Sequence, residues 1–475
     1  MGPKREDDYL FPELHSLLDR LPSGRAKRIP IVLVPGFVGW GSPLLNSFNY
    51  FGGFKDIAGT LVDRGWTVII PQLGPFSSNW ERACELYAQL THGSYDPDGT
   101  WDVQVDYGTE FQALLPKGNP PVAMGRRQAF SLTYGTDGPA PRRLKNWKWS
   151  GDSPVHFVTH SQGGNTVRYL IHLLRSGKAD HPYFSERREK GWVESLVTLA
   201  TPHNGTTIID VLKNIDPTGI GQLLINQTIA TASFQPPQAR VYDPQLDHWG
   251  ICPLPDEDFL TMSLRLTSPG GPLQQWFQNN YNGFYDNSIA GVAALNAIVG
   301  PPAENVYYFT FSCGATLSTI PKGVLGRLAN KVLGFIPRGV IKPPHYALQL
   351  GPPGSQLPRA DMFPAFSIFG YAMGGYQLTV EQKSILACRS VDMQQNDGIV
   401  NTYSMRGPRG SDIKDIDASV TTTTLERGKF YHMGTNNEMD HADAIGIVVD
   451  PDLIPKVDTM YLEIAELLSR LPPPT

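Results

Sequence analysis

Apolar residues along the chain alternate between two patterns. RIPIVLVPG (Arg28 to Gly36) is a short β-branched run with no polar face that stops at a Pro-Gly turn, which predicts a strand buried on both sides. Phe54 to Arg64 has helical spacing and ends at Gly65, a residue suited to a left-handed C-cap. WTVIIP (Trp66 to Pro71) repeats the strand pattern. Ser78-Asn79-Trp80-Glu81 has the S-x-x-E spacing in which two side chains satisfy free N–H groups at a helix start, so a helix is predicted from there to about Leu90. Further strands are expected over Pro154 to Thr159, Val193 to Leu199 and Val306 to Phe311, with a helix from Gln162 to about Arg175. Near the end, Val457, Met460, Tyr461, Ile464, Leu467, Leu468 and Leu471 recur every three or four residues. They mark an amphipathic helix over Lys456 to Leu471.

Strands alternating with helices predict a mostly parallel α/β sheet. Residues 1–28 are charged and Pro-punctuated, and read as an N-terminal surface arm with a short helix at Pro12 to Leu21. Residues 29–475 read as a single domain. Gly- and Pro-rich stretches predict insertions in it at about 95–151, 204–258 and 320–364.

Composition narrows the class. Of 475 residues, 41% are hydrophobic and 18% charged, enough apolar material for a large core and against overall disorder. The formal charge of −5 is scattered, which argues against a nucleic-acid partner. The apolar stretch Ile29 to Trp40 is broken by Pro35, Gly36 and Gly39, so no transmembrane segment is expected. MGPKREDDYL lacks the apolar region of a secretory signal, and a soluble cytoplasmic protein is predicted. Cys84, Cys252, Cys313 and Cys388 are widely spaced and read as free thiols, a disulfide requiring an oxidising compartment.

The chemistry concentrates at VHFVTHSQGG (Val155 to Gly164). A buried strand runs into a turn holding Ser161, and a helix starts at once. Gly163 and Gly164 let that helix begin close beneath the strand, and its N-terminus supplies free N–H groups where an oxyanion would form. The plainer reading makes Ser161 a helix cap. A serine nucleophile needs a base, and in this chain order the acid and then the histidine come later. Only His432 and His441 lie beyond position 400. His432 sits among large side chains in KFYHMG, whereas His441 lies in the polar stretch NNEMDHAD. Asp397, in QQNDGIVN, offers the carboxylate from a loop after a strand, or serves the turn alone. Phe37 N–H, in the loop after the first strand, and Gln162 N–H are the expected oxyanion donors.

These residues belong to a wider likeness. PGFVGWG (Pro35 to Gly41), YFGGFKDI (Tyr50 to Ile57), GPFSSNWERACELYAQL (Gly74 to Leu90), THSQGGNTVR (Thr159 to Arg168), LATPHNGTT (Leu199 to Thr207), VYDPQLDHWG (Val241 to Gly250), NDGIVNTYSMRGP (Asn396 to Pro408) and MDHADAIG (Met439 to Gly446) occur in one order. With them the chain resembles the large thermostable bacterial lipases of the Geobacillus and Staphylococcus type. The resemblance implies an α/β-hydrolase fold for the catalytic domain, with Ser161, Asp397 and His441 as triad and Phe37 and Gln162 as oxyanion hole. It also implies a lid at Asn204 to Gln238, the expected contact with a lipid interface. That lid is less apolar than is usual, which weakens the case for long-chain lipids.

Other positions depart from the family. Glu81 and Asp247 stand where it has zinc-binding carboxylates, but TEFQALLPKGNPP, where two histidines should lie, contains none, so zinc is not expected. Asp443 and Asp450 only partly match a calcium site, and no cofactor is required by the chemistry. Pro35 replaces a histidine, and His203 is expected to be structural. The implied activity is carboxylic-ester hydrolysis of a small-molecule or lipid ester through an acyl-enzyme. An acyltransferase or lactone-forming enzyme would use the same intermediate, and a non-catalytic binding protein would keep only the fold.

Overall fold

The computed structural model describes residues 9–22, 29–41, 43–45, 47–91, 102–103, 105–115, 126–127, 132–134, 147–188, 191–215, 220–236, 239–318, 355–421, 424–448 and 450–472. Much of the first and third expected insertions, and the first eight residues, lie outside these. Eight strands form one sheet: β1 (Ile31–Val34), β2 (Val68–Ile70), β3 (Leu132–Tyr134), β4 (Val155–His160), β5 (Val193–Leu199), β6 (Tyr307–Cys313), β7 (Ile413–Asp415) and β8 (Phe430–Asn436). Their order is β7-β8-β6-β5-β4-β1-β2-β3. Every pairing is parallel except that of β3, which runs antiparallel to β2.

Every residue of β1, β4, β5 and β6 is buried, as strands with helices on both faces require. Ile31 and Leu33 of β1 face one core, while Val32 and Val34 face the other. The first core is closed by α1 (Pro12–Arg20), α2 (Ile57–Asp63) and a long helix, Ile454–Arg470, near the end of the chain. The second is closed by α3 (Asn79–Thr91) and α4 (Gln162–Ser176). The S-x-x-E motif closes as expected: Ser78 N–H and hydroxyl both donate to Glu81 Oε2 at 2.9 Å, and Glu81 N–H donates to Ser78 Oγ at 3.2 Å.

The N-terminal arm needs correction. Helix α1 lies where it was expected, but Phe11, Leu14, Leu17 and Leu18 are buried in the first core against the terminal helix. The segment 9–22 is therefore part of the body. Its charged residues hid an apolar stripe at helical spacing.

After β1, β2 and β3 the chain returns to the other side of β1 for β4, so the order reverses there. Val34 pairs with Thr159, and His160 with Leu199, which brings the C-terminal ends of β1, β4 and β5 level. In an open parallel sheet the crevice at such a reversal is where ligands bind. The loop after β1 carries Phe37, and the turn after β4 carries Ser161.

Candidate active site

Ser161 joins β4 to α4 with φ 53° and ψ −129°, a backbone region that costs a non-glycine residue on the order of 1–3 kcal/mol. Surrounding bonds hold it there. Ser161 N–H donates to Leu199 O at 2.9 Å, and Thr201 hydroxyl donates to Ser161 O at 2.8 Å. A Cβ on Gly163 would stand 2.8 Å from Val34 O, and one on Gly164 would stand 2.3 Å from Thr201 Oγ1. Only glycine lets α4 begin this close to the strand ends. Ser161 thus occupies a strained turn with an open-handed φ, which a simple helix cap would not adopt; its side chain makes no capping bond.

Asp397 is fully buried. Its Oδ1 accepts from Ile399 N–H at 3.0 Å and Val400 N–H at 2.7 Å, so the turn and the carboxylate function are both served. Its Oδ2 lies 2.7 Å from His441 Nδ1, and His441 N–H donates to Asp397 O at 3.0 Å. A carboxylate at that distance assigns the proton to Nδ1 and leaves Nε2 as the acceptor nitrogen. The His441 ring centre is 4.4 Å from that of His160, the residue immediately before Ser161. The imidazole, the carboxylate and the residue preceding Ser161 are thus brought together at the C-terminal end of β4. His432 is elsewhere, buried on β8 with Nδ1 3.1 Å from Thr310 Oγ1, and burial pushes its pKa down to about 4.

One detail differs from expectation. Asp397 does not follow a sheet strand directly but comes after a short turn of helix, Ser390–Met393. Its loop is fastened to the end of β6 by Ala315 N–H, which donates to Asn396 O at 2.9 Å. More than 80 residues intervene in the chain, so the strand that positions the carboxylate is not its neighbour in sequence.

The loop after β1 runs against the serine: a Cβ on Gly36 would lie 2.6 Å from Ser161 Cβ. Val38 N–H donates to Pro75 O and Gly39 N–H to Gly36 O, whereas Phe37 N–H has no backbone acceptor among the described residues. Gln162 opens α4, where N–H groups lack partners within the helix. Sequence reasoning missed the brace behind this loop. Gly36 N–H donates to Tyr50 Oη at 3.0 Å, and Tyr50 Oη lies 2.7 Å from His160 Nδ1. Burial, then the neighbouring His441, holds the His160 imidazole well below its ordinary pKa, so it is neutral and accepts the Tyr50 proton. The Phe37 ring packs edge to face on Phe284 and Phe76, with centres 4.9 and 5.6 Å apart. Ser161 is only 4% exposed and His441 only 7%.

A family described as "Lipase-like, C-terminal domain" matches residues 134–336. A lipase of Staphylococcus epidermidis is 24% identical over 435 residues, which cover 88% of this chain and 50% of that lipase. The chain is a divergent homologue of the staphylococcal lipases. It spans about half the length of the curated relatives it matches. Among solved structures, EstA from Clostridium botulinum has a TM-score of 0.66 at 26% identity, over 99% of this chain and 92% of that one. Staphylococcus hyicus lipase has a TM-score of 0.67 at 23% identity, over 95% and 97%, a likeness of fold. The α/β-hydrolase fold expected from the sequence is therefore the fold observed.

Against that family the metal positions read differently. Glu81 is fully buried, and its Oε1 meets His248 Nε2 and accepts from Trp249 Nε1 at 3.0 Å. His248 was not anticipated; it lies next to Asp247 in the matched block. Asp247 turns away to Arg240. One carboxylate with one imidazole, the second carboxylate being held by a guanidinium, does not fit a four-coordinate zinc. Asp443 Oδ2 accepts from Asp440 N–H at 2.8 Å, and Asp450 Oδ1 from Asp452 N–H at 3.0 Å. No three His, Cys, Asp or Glu side chains converge on a metal-sized site among the described residues. His203 is buried with Nε2 3.0 Å from Thr198 Oγ1, a structural role. The four cysteines are free thiols, and no described helix is long and apolar enough to cross a membrane.

Proposed function

We propose that this chain is a serine carboxylic-ester hydrolase of the lipase/esterase type, with Ser161 as nucleophile, His441 as base and Asp397 as the orienting acid. Ser161 Oγ attacks the ester carbonyl as His441 Nε2 takes its proton. Asp397 keeps the proton on Nδ1 and stabilises the imidazolium. Phe37 and Gln162 N–H groups receive the oxyanion, each such donor contributing about 3–4 kcal/mol of transition-state stabilisation. His441 then protonates the leaving alcohol, and water, activated by the same nitrogen, releases the acid from the acyl-enzyme.

The observation that carries this reading is the 2.7 Å contact between His441 Nδ1 and Asp397 Oδ2, with the imidazole packed on the residue before a serine at positive φ. The lipase names of the relatives given above agree with hydrolysis. The substrate is a small-molecule or lipid ester, and the near-burial of Ser161 and His441 means that a cover must move to admit it. That cover is the lid region. Its helix Ile208–Ile215 packs through Ile208, Ile209 and Val211 on Phe369 and Met373 of the helix Pro364–Gly374. Ile368 and Tyr371 of the latter are exposed and would meet a lipid interface.

Aryl esters of graded acyl length, tested alongside a fluorophosphonate probe, examine the proposal directly. Ser161→Ala should abolish turnover and labelling while leaving the fold intact. Turnover retained in purified Ser161→Ala protein would overturn the assignment.

A further inference from the structure

A cavity of about 330 Å³ lies beside the start of α3, with Asn79 and Trp80 in its lining. Two aromatic pairs wall it. Trp80 of α3 and Tyr169 of α4 have ring centres 5.8 Å apart, and Phe111 and Tyr281 have theirs 5.0 Å apart. Asp286, from the short helix Gly283–Asn287, brings a carboxyl among these rings. One of its oxygens accepts the Asn79 backbone N–H, and it forms no ion pair among the described residues.

A carboxylate enclosed by aromatic carbon is costly unless a cation faces it. Burial pushes the Asp286 carboxyl up to about 7, Glu81 adding to the rise, and the Asn79 N–H and the more distant Arg82 offset it only in part. The rim already shows the preference of these walls. Lys178 Nζ stands 5.3 Å from the centre of the Trp80 ring and 2.9 Å from Glu110 Oε2. A bare metal ion would find two carboxylates in the lining, Asp286 and Glu110, the latter already paired with Lys178, rather than the several oxygens that hard cations need. An alkylated ammonium gains from both features, its charge facing the carboxylate and the ring faces, its carbons shedding water against the walls.

We propose that this cavity binds a small organic ammonium ion, with its charge on Asp286 and its alkyl groups on the rings of Trp80, Tyr169, Phe111 and Tyr281. This site is unrelated to the ester chemistry and stands whether or not Ser161 is a nucleophile. Lys178 competes with the ligand for the Trp80 face.

Calorimetric titration of the full chain with tetramethylammonium chloride, against sodium chloride at equal ionic strength, tests it. Saturable one-to-one binding is expected, weakened at least about tenfold in Asp286→Asn and tightened in Lys178→Gln. Ser161→Ala should bind as the parent does. Tyr281→Leu gives a second weakened variant should Asp286→Asn not fold. Absence of saturable binding, equal affinity in folded Asp286→Asn and Tyr281→Leu, or loss of binding in Ser161→Ala would each overturn the proposal.

Discussion

Arg240 grips Asp247 with both terminal nitrogens of its guanidinium, at 2.7 and 2.8 Å. The same side chain donates to Asp243 Oδ1 and to the carbonyls of Ser233 and Gln235, so all five of its N–H groups are used. Ser233 ends the second lid helix, Ile220–Ser233, and Asp247 begins the turn whose His248 and Trp249 hold Glu81. One buried cation therefore ties the end of the lid region to the start of α3. A planar fork suits this task, as a point charge would not.

Arg240→Gln should lower stability by about 2–4 kcal/mol, because two carboxylates and two carbonyls lose a charged partner. Asp247 is about a third exposed, which keeps the cost below that of a fully buried pair. Urea denaturation measures it. Arg240→Lys should recover only a small part. A lysine variant as stable as the parent would show that charge, not the fork, is what matters.

Chelation tests the metal positions. Since Arg240 and His248 engage the two carboxylates at the implied zinc site, treatment with a chelator should leave the unfolding midpoint and ester turnover unchanged, and added Zn²⁺ or Ca²⁺ should not raise either. A midpoint that falls on chelation and returns with one of these ions would locate a metal that the described side chains do not gather.

Asp397→Asn should lower kcat about 10⁴-fold with little change in stability. The amide keeps an oxygen for Ile399 and Val400 N–H, but turns an N–H toward His441 Nδ1 and so favours the wrong imidazole tautomer. Steady-state kinetics with a soluble aryl ester decides this. A loss of tenfold or less would mean that the carboxylate serves the turn and not the histidine.

How much of this was legible in the sequence depended on range. The elbow around Ser161 is local: strand, serine and two glycines are contiguous, and the clashes at Gly163 and Gly164 are with strand ends that the α/β pattern already places nearby. The choice of His441 over His432 followed from the polar setting of the former. Strand β8 was hidden because FYHMGTN carries a histidine, a glycine and two polar residues, and β7 has only three residues. The Tyr50–His160 contact spans 110 positions with no spacing rule to reveal it. Arg240, too, lay in a loop block where charge alone does not tell a solvated residue from a clamp.

Acid should destabilise the fold through its buried histidines. Burial first, then Arg427, pushes His156 down to about 3, while an unfolded histidine titrates near about 6.5. Above that value both states are neutral and stability does not depend on this group. Below it only the unfolded chain takes up the proton, so stability falls by up to about 1.4 kcal/mol per pH unit until the folded pKa is reached. The raised carboxyls of Asp286 and Asp440 act in the opposite sense, so a difference measurement is needed. Stability of His156→Gln, followed by urea titration between about pH 6 and pH 4, should decline less steeply than that of the parent by about one proton. Equal slopes would show that His156 is protonated in the folded protein.

Tyr50→Phe separates bracing from mere packing. The hydroxyl bridges Gly36 N–H and His160 Nδ1, and nothing else about the buried ring changes on its removal. Leaving those two groups without a partner should cost about 1–3 kcal/mol of stability. The same loss frees the loop that carries Phe37, an oxyanion donor in the proposed mechanism, whose placement matters in the transition state more than in the bound ester. Turnover should therefore fall about tenfold while KM stays nearly constant. A variant that melts earlier yet turns over at the parental rate would reduce Tyr50 to a structural residue, and would leave the position of the β1 loop to Arg82, which donates to Pro35 O.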